Sequence, residues 1–149
     1  MKDVLVIMGS NSDMPVMQEC IDTLGKFGLT FQVEVASAHR TPEKVLAIAK
    51  DADSNYKVII AAAGKAAHLP GVIAGHTILP VIGVPMKTSD LGGVDSLYSI
   101  VQMPKGVPVA TVAINGAMNA GILAAQIIGI TEKVVRDRLF AHKEEMKNS

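Results

Sequence analysis

A histidine and an arginine stand side by side in "SAHRTP", residues 37–42, between an apolar run and a stretch with helical spacing. A neutral imidazole moves protons near pH 7, whereas a guanidinium stays charged and offers a planar fork for a phosphate or a carboxylate. His39 and Arg40 therefore indicate proton transfer on an anionic substrate. The alternative is a surface loop in which both side chains are simply solvated.

A second candidate anion site lies in "GSNSD" and consists of Gly9, Ser10, Ser12 and Asp13. The stretch combines a glycine for a tight turn with hydroxyls, a carboxylate and the free backbone N–H groups of a helix start, which suit a phosphate. Alternatively, Ser12 or Asp13 only caps the helix, with Pro15 in its first turn. Because two candidate anion loops occur together, we favour Arg40 on a phosphate and His39 at the reacting centre.

A third candidate loop, "AAGKAAHLPG", ends an apolar run in small residues, so that backbone amides can approach a planar ligand. His68 is expected to overhang the pocket there, or else to be a polar cap on the helix that follows. Asp13, His39 and His68 lack the ligand spacing of a known metal site. Cys20, in a predicted helix, is expected to be a small core residue. We therefore expect no metal.

The elements that must position these loops alternate between strand-like and helix-like stretches. Five short runs are largely apolar, as in strands buried on both faces: residues 4–8, 31–36, 58–63, 80–84 and 107–114. Helical spacing separates or follows them at residues 15–27, 42–52, 69–76, 94–101 and 117–128. This alternation predicts an α/β fold, a flavodoxin-like three-layer sandwich with a central parallel sheet between helices.

The predicted sheet also places the site. Ligands of such sheets bind outside the carboxyl ends of the strands, where the loops converge. Those loops are residues 9–15, 37–42, 64–71 and 85–93. After Gly129, charged and apolar residues at helical spacing predict a C-terminal amphipathic helix with Thr131 as its N-cap.

Length and composition limit the possible functions. A chain of 149 residues with no Pro/Ser-rich or charge-dense linker is expected to form one domain, residues 1–149. Lys plus Arg equals Asp plus Glu at 14 each, so we expect neither nucleic acid nor an anionic membrane surface as a partner. The single cysteine, Cys20, suits the reducing cytoplasm, and the apolar run at residues 4–8 is too short for a signal peptide.

The apolar content indicates self-association. Hydrophobic residues make up 49% of the chain and aromatic residues only 3%, so small side chains dominate. No apolar stretch approaches the roughly 18 residues that a membrane span requires. A tightly packed homo-oligomer is therefore expected to bury the excess apolar surface.

Four motifs resemble a single family: "MGSNSD" at residues 8–13, "SAHRTP" at 37–42, "AAHLPG" at 66–71 and "DSLYSIVQMPKGVPVATVAI" at 95–114. In this order they span almost the whole chain, and together they resemble the N5-carboxyaminoimidazole ribonucleotide mutase family of purine biosynthesis. The resemblance implies a flavodoxin-like subunit in a homo-octamer that uses no metal, nucleotide or organic cofactor. It also implies a small-molecule ribonucleotide substrate.

The reaction that the resemblance implies moves a carboxylate from the exocyclic nitrogen of N5-carboxyaminoimidazole ribonucleotide to ring carbon C4. The carbamate loses CO2 in a closed pocket, C4 captures it, and a histidine that matches His39 takes the C4 proton. The matching substrate-binding residues are Ser10, Ser12, Asp13, Ser37, Ala38, Arg40, Gly64, Ala67, His68 and Leu69. Among them, Asp13 is expected to accept from ribose hydroxyls, and Arg40 to hold the phosphate.

Lys65 stands where the family usually has glycine. We expect its ammonium to point to solvent or to a neighbouring subunit while its backbone does what glycine would. If it faces the pocket instead, its charge could hold CO2 or the new carboxylate, which favours the sister class that carboxylates aminoimidazole ribonucleotide directly with CO2. A non-catalytic flavodoxin-like module that binds a flavin or nucleotide is the third reading, although Tyr56 and Tyr98 lie outside the candidate loops.

Overall fold

Five strands form one parallel sheet in the computed structural model, which describes residues 1–149. They are β1 (Val4–Met8), β2 (Phe31–Val35), β3 (Val58–Ala63), β4 (Val81–Pro85) and β5 (Ala110–Thr111). Their order in the sheet is β2-β1-β3-β4-β5, and all pairs are parallel. This order is that of flavodoxin-like folds, so the predicted fold class is confirmed.

Six α-helices connect and cover the strands: α1 (Met14–Lys26), α2 (Pro42–Asn55), α3 (Leu69–Ala74), α4 (Val94–Val101), α5 (Ala117–Ile128) and α6 (Lys133–Lys147). A proline in the first turn of α1, α2 and α3 fits there because that position needs no N–H donor. A short 3-10 turn over Asn11–Asp13 precedes α1.

The core consists of two apolar layers, one on each face of the sheet. Along β1, Val4, Val6 and Met8 face the layer that includes α1 and α5, whereas Leu5 and Ile7 face the layer that includes α2, α3 and α4. Successive side chains of a strand point to opposite faces, so a central strand covered on both sides must be apolar throughout. The continuous apolar runs in the sequence follow from this burial.

Close helix packing explains the small residues of α1 and α5. A side chain at Gly121 would come within 3.0 Å of Thr23 and 3.2 Å of the Cys20 carbonyl oxygen. Cys20 itself is fully buried, and burial raises the pKa of its thiol to about 12. It is thus the small core residue that the sequence predicted.

The edge strand and the start of the last helix differ from the prediction, and the bounds of the strands β2 and β4 and of the helices α1, α2 and α3 shift by one to three residues. Only Ala110 and Thr111 of the apolar run at 107–114 pair with β4, because the edge strand has one neighbour and Pro108 has no N–H to donate. The last helix begins at Lys133 with Glu132 as its N-cap, so Thr131 as N-cap was wrong. The Thr131 hydroxyl instead donates back to the Ile128 carbonyl at 3.4 Å. None of the six helices has the length and apolar character needed to cross a bilayer.

Gly83 in the middle of β4 is a sensitive point of the core. A methyl group there would collide with Ile100 and lie 2.9 Å from Val109 Cγ1. We expect Gly83→Ala to lower the free energy of unfolding by about 1–3 kcal/mol, because overpacking displaces neighbouring side chains. Urea denaturation followed by circular dichroism measures this change. Gly25→Ala is the control, since nothing lies within 4 Å of that position in α1; equal destabilisation by both variants would contradict the packing argument.

Candidate functional site

A cavity of about 510 Å³ opens at the carboxyl ends of β1, β2 and β3. Three of the four loops expected there form its walls: Gly9, Ser10, Ser12 and Asp13; then Ser37, Ala38, His39 and Arg40; then Ala63, Gly64, Lys65, Ala66, His68 and Leu69. The fourth loop, residues 85–93, does not line the cavity. It approaches the cavity at Asp90, whose carboxylate lies 3.9 Å from the Lys65 ammonium.

The first loop presents hydroxyls next to the start of α1. Ser10 caps the 3-10 turn by accepting a hydrogen bond from the Ser12 backbone N–H at 3.2 Å, and the Ser10 and Ser12 hydroxyls lie 2.9 Å apart. Neither Ser12 nor Asp13 makes a side-chain capping bond. The Asp13 carboxylate makes no capping bond to α1 and borders the cavity.

The environment of Asp13 is only partly favourable to a charge. Burial raises the pKa of the Asp13 carboxyl, although a hydrogen bond at Ser10 and the nearby Arg40 guanidinium oppose the shift. A raised pKa means that ionised Asp13 costs stability at neutral pH. This cost disappears below about pH 3.8, where the carboxyl is protonated in both the folded and the unfolded chain. A carboxylate kept at such a cost is typical of functional sites.

Arg40 in the second loop is fixed by its neighbours. Its Nη2 donates to the Gly9 carbonyl oxygen at 3.1 Å, and its Nε lies 3.4 Å from the Ser37 hydroxyl, which also accepts from the Arg40 backbone N–H at 3.1 Å. The two N–H groups of Nη1 have no partner within the chain. Because both loops hold this guanidinium in place, it offers oriented donors to an anion.

Thr41 stabilises the second loop through hydrogen bonds to Ser37. As the first residue before α2 it makes no capping bond to the helix. Its hydroxyl instead accepts from the Ser37 backbone N–H at 2.9 Å and lies 3.2 Å from the Ser37 carbonyl oxygen. These contacts tighten the loop that carries His39 and Arg40.

His39 and His68 meet across the cavity, although 29 residues separate them in the sequence. His39 Nε2 lies 2.7 Å from His68 Nδ1, and the ring planes are inclined by 78° with centroids 4.8 Å apart. At this distance only one of the two facing nitrogens carries a proton, since two N–H groups would repel. His68 thus makes no side-chain cap on α3 but a contact with the second loop.

The third loop turns sharply at Lys65. This residue has a φ of 52°, in the left-handed region that glycine adopts most easily. Its ammonium lies 3.9 Å from Asp90, and the Lys65 side chain is 73% exposed. The φ of Lys65 agrees with the hypothesis of a glycine-like backbone, whereas its side chain is exposed to solvent and also borders the cavity.

The sequence-predicted residues lie around the cavity with one exception. Ala67 is only 1% exposed and packs in the layer beneath the loop, so it does not line the cavity. Four lining residues are not among the substrate-binding residues that the resemblance implied: Gly9, Ala63, Lys65 and Ala66. Gly9 contributes its carbonyl oxygen to Arg40, a backbone contact that no side-chain pattern shows. No three His, Cys, Asp or Glu side chains come together as a metal site would require.

Comparison with known proteins places the chain in a family. A family model described as AIR carboxylase matches residues 3–149. The chain is 56% identical over 148 residues to an N5-carboxyaminoimidazole ribonucleotide mutase of Thermotoga maritima, covering 99% of this chain and 86% of that protein. It is also 56% identical over 143 residues to a phosphoribosylaminoimidazole carboxylase of Candida glabrata, covering 94% of this chain but only 25% of that protein.

A solved structure agrees with the fold. The crystal structure of Treponema denticola PurE is 29% identical and superimposes with a TM-score of 0.89, over 97% of this chain and 91% of that one. The sequence match runs through all three loops of the cavity and through the sheet that carries them. This chain belongs to the AIR carboxylase family.

Proposed function

We propose that this protein is an N5-carboxyaminoimidazole ribonucleotide mutase, an isomerase that forms 4-carboxyaminoimidazole ribonucleotide in de novo purine (IMP) biosynthesis. One observation carries the proposal: a titratable imidazole, His39, and an oriented guanidinium, Arg40, open on the same cavity. The curated relative from Thermotoga maritima, which this chain matches along nearly its whole length, bears the mutase name.

The cavity suits a ribonucleotide with its phosphate at the first two loops. Arg40 supplies charge-assisted hydrogen bonds to the phosphate, and the hydroxyls of Ser10, Ser12 and Ser37 add donors beside it. Asp13 accepts from the ribose hydroxyls. The small third loop, from Gly64 to Leu69, covers the planar imidazole and the CO2 released beneath it.

In the proposed reaction the bond between the exocyclic nitrogen and the carboxylate carbon breaks, which releases CO2 inside the cavity. The electron-rich C4 then forms a new bond to that carbon. His39 removes the proton from C4, which restores the aromatic ring, while the exocyclic nitrogen gains a proton and becomes an amine. Atoms and electrons balance without any oxidant or reductant, so the reaction needs no redox cofactor, and the proposed steps use no metal or nucleotide cofactor.

The sister activity, direct carboxylation of aminoimidazole ribonucleotide by CO2, acts on a nucleotide of similar shape that would fit the same cavity. The relative from Candida glabrata that bears a carboxylase name is a much longer protein, of which this chain spans a quarter. A flavin-binding module receives less support, since neither Tyr56 nor Tyr98 lines the cavity to stack on a flavin ring. Absorbance of the purified protein above 400 nm would indicate a flavin.

The deciding experiment supplies each substrate separately. We expect fast conversion of N5-carboxyaminoimidazole ribonucleotide in bicarbonate-free buffer, and slow conversion of aminoimidazole ribonucleotide even with excess bicarbonate. Formation of the 4-carboxy product is followed by its ultraviolet absorbance, with and without a chelator, which we expect to have no effect. Faster use of aminoimidazole ribonucleotide with added bicarbonate would favour the sister activity and overturn the mutase proposal.

Assembly and compartment are proposed on separate grounds. Several large apolar side chains are exposed on the isolated chain, among them Ile78, Ile130 and Phe140 at 89%, 75% and 63%. Ile130 and Phe140 border the same cavity beside α5 and α6, and we propose that a homo-octamer buries this apolar surface. Light scattering coupled to size exclusion tests this state. The single, buried and unpaired Cys20 fits a reducing cytoplasm.

A further inference from the structure

Lys65 is a non-glycine residue in a left-handed backbone conformation, with φ 52°, in the third loop of the cavity. Residues other than glycine and asparagine rarely adopt this conformation, because their Cβ crowds the backbone. The turn itself is closed by a hydrogen bond from the Ala67 N–H to the Lys65 carbonyl, 2.8 Å long, which a glycine would form equally well. The lysine side chain is therefore kept at a cost, and such positions point to a function.

The Lys65 ammonium is weakly held where it stands. Its one partner is Asp90, at 3.9 Å, and the two side chains are 73% and 77% exposed. Ion pairs this exposed contribute little to stability, because both charges remain hydrated. The ammonium can therefore exchange Asp90 for another anion at little cost.

The charged side chains around the cavity include one cation, Lys65, that the proposed phosphate contact does not use. Asp13, Arg40 and Lys65 are the fully charged side chains among the lining residues. Arg40 is held toward the first and second loops by Gly9 and Ser37, where the phosphate is expected. The proposed substrate and product carry a carboxylate as well, and Lys65 is the cation of the loop on the opposite side.

We propose that Lys65 is a specificity-determining residue that leaves Asp90 and binds the carboxylate of the nucleotide. The inference rests on the proposed function, because it assumes a carboxylated aminoimidazole ribonucleotide in the cavity. A contact to this carboxylate does not by itself favour direct carboxylation, since the substrate and the product of the mutase reaction both carry the group. It divides recognition between two cations, Arg40 for the phosphate and Lys65 for the carboxylate. Lys65 then discriminates carboxylated from uncarboxylated nucleotides, whereas Arg40 does not.

The test compares two ligands that differ only in the carboxylate: 4-carboxyaminoimidazole ribonucleotide and aminoimidazole ribonucleotide. Their Kd values are measured by calorimetry on the full-length protein. Lys65→Asn removes the charge but tolerates the backbone conformation. We expect it to raise the Kd of the carboxylated ligand about tenfold and the Kd of the other ligand less than about twofold. Lys65→Arg should retain wild-type discrimination, and Lys65→Gly should behave as Lys65→Asn does.

Two controls separate this role from others. Lys87→Asn removes an exposed lysine of the fourth loop that does not line the cavity, and it should change neither Kd. Asp90→Asn removes the competing carboxylate and should lower the Kd of the carboxylated ligand only. Equal weakening of both ligands by Lys65→Asn or by Asp90→Asn would instead show a loop latch and overturn the inference, as would no weakening at all. Wild-type protein that binds neither nucleotide would overturn the proposed function itself.

Discussion

Replacing His39 with asparagine is expected to remove turnover while leaving the fold and substrate binding nearly intact. Asparagine occupies similar space and can hydrogen-bond, but it cannot take the proton from C4. Loss of a general acid–base group typically lowers kcat by about 10²- to 10⁴-fold. His39 is solvent-exposed and sits in a loop whose shape depends on Ser37 and Thr41, so the substitution leaves the core untouched. Steady-state rates, nucleotide Kd and Tm together measure the effect.

His76→Asn is the matched control for His39. His76 follows α3, is exposed and does not line the cavity, so the same change there should leave kcat within about twofold of wild type. A His39→Asn protein that keeps more than half of wild-type activity would remove His39 from the mechanism. A large rise in Kd with unchanged kcat would make His39 a binding residue instead.

Replacing Arg40 with leucine is expected to weaken ribonucleotide binding about 100-fold. Each hydrogen bond to a charged group contributes about 1.5–3 kcal/mol, and the phosphate loses at least one such partner and its counter-charge. Arg40→Lys keeps the charge but cannot reproduce the donors that now reach Gly9 and Ser37, so it should also bind poorly, though less so. Calorimetric titration with the nucleotide gives both values.

The phosphate role has its own internal check. The nucleoside without its 5′-phosphate should bind wild type and Arg40→Leu with similar weak affinity, because the group that Arg40 contacts is missing. Arg136→Leu is the control, since Arg136 borders a separate cavity between α5 and α6. Tight binding of the nucleoside by wild type would refute the assignment of Arg40 to the phosphate.

The sequence alone predicted the architecture, because strands covered on both faces of a sheet are continuously apolar. Strands β1 and β3 and helices α4 and α5 have the predicted bounds, since continuous apolar runs and helical spacing depend on which faces are covered. The predicted edge strand at residues 107–114 was too long. Val109 packs against the layer of α2, α3 and α4, whereas Ala110 and Ala113 are exposed. An apolar run at a sheet edge therefore predicts neither full burial nor the length of the strand.

The sequence likewise predicted which loops carry the chemistry, because parallel strands bring their carboxyl ends to one edge of a sheet. It could not predict the contacts made across that edge. These contacts depend on distances between segments far apart in the chain. They are the contact between His39 and His68, the hydrogen bond from Arg40 to the Gly9 carbonyl, and the burial of Ala67 beneath its loop. Contacts to backbone carbonyls and between distant loops have no residue-type signature, so only the tertiary structure decided them.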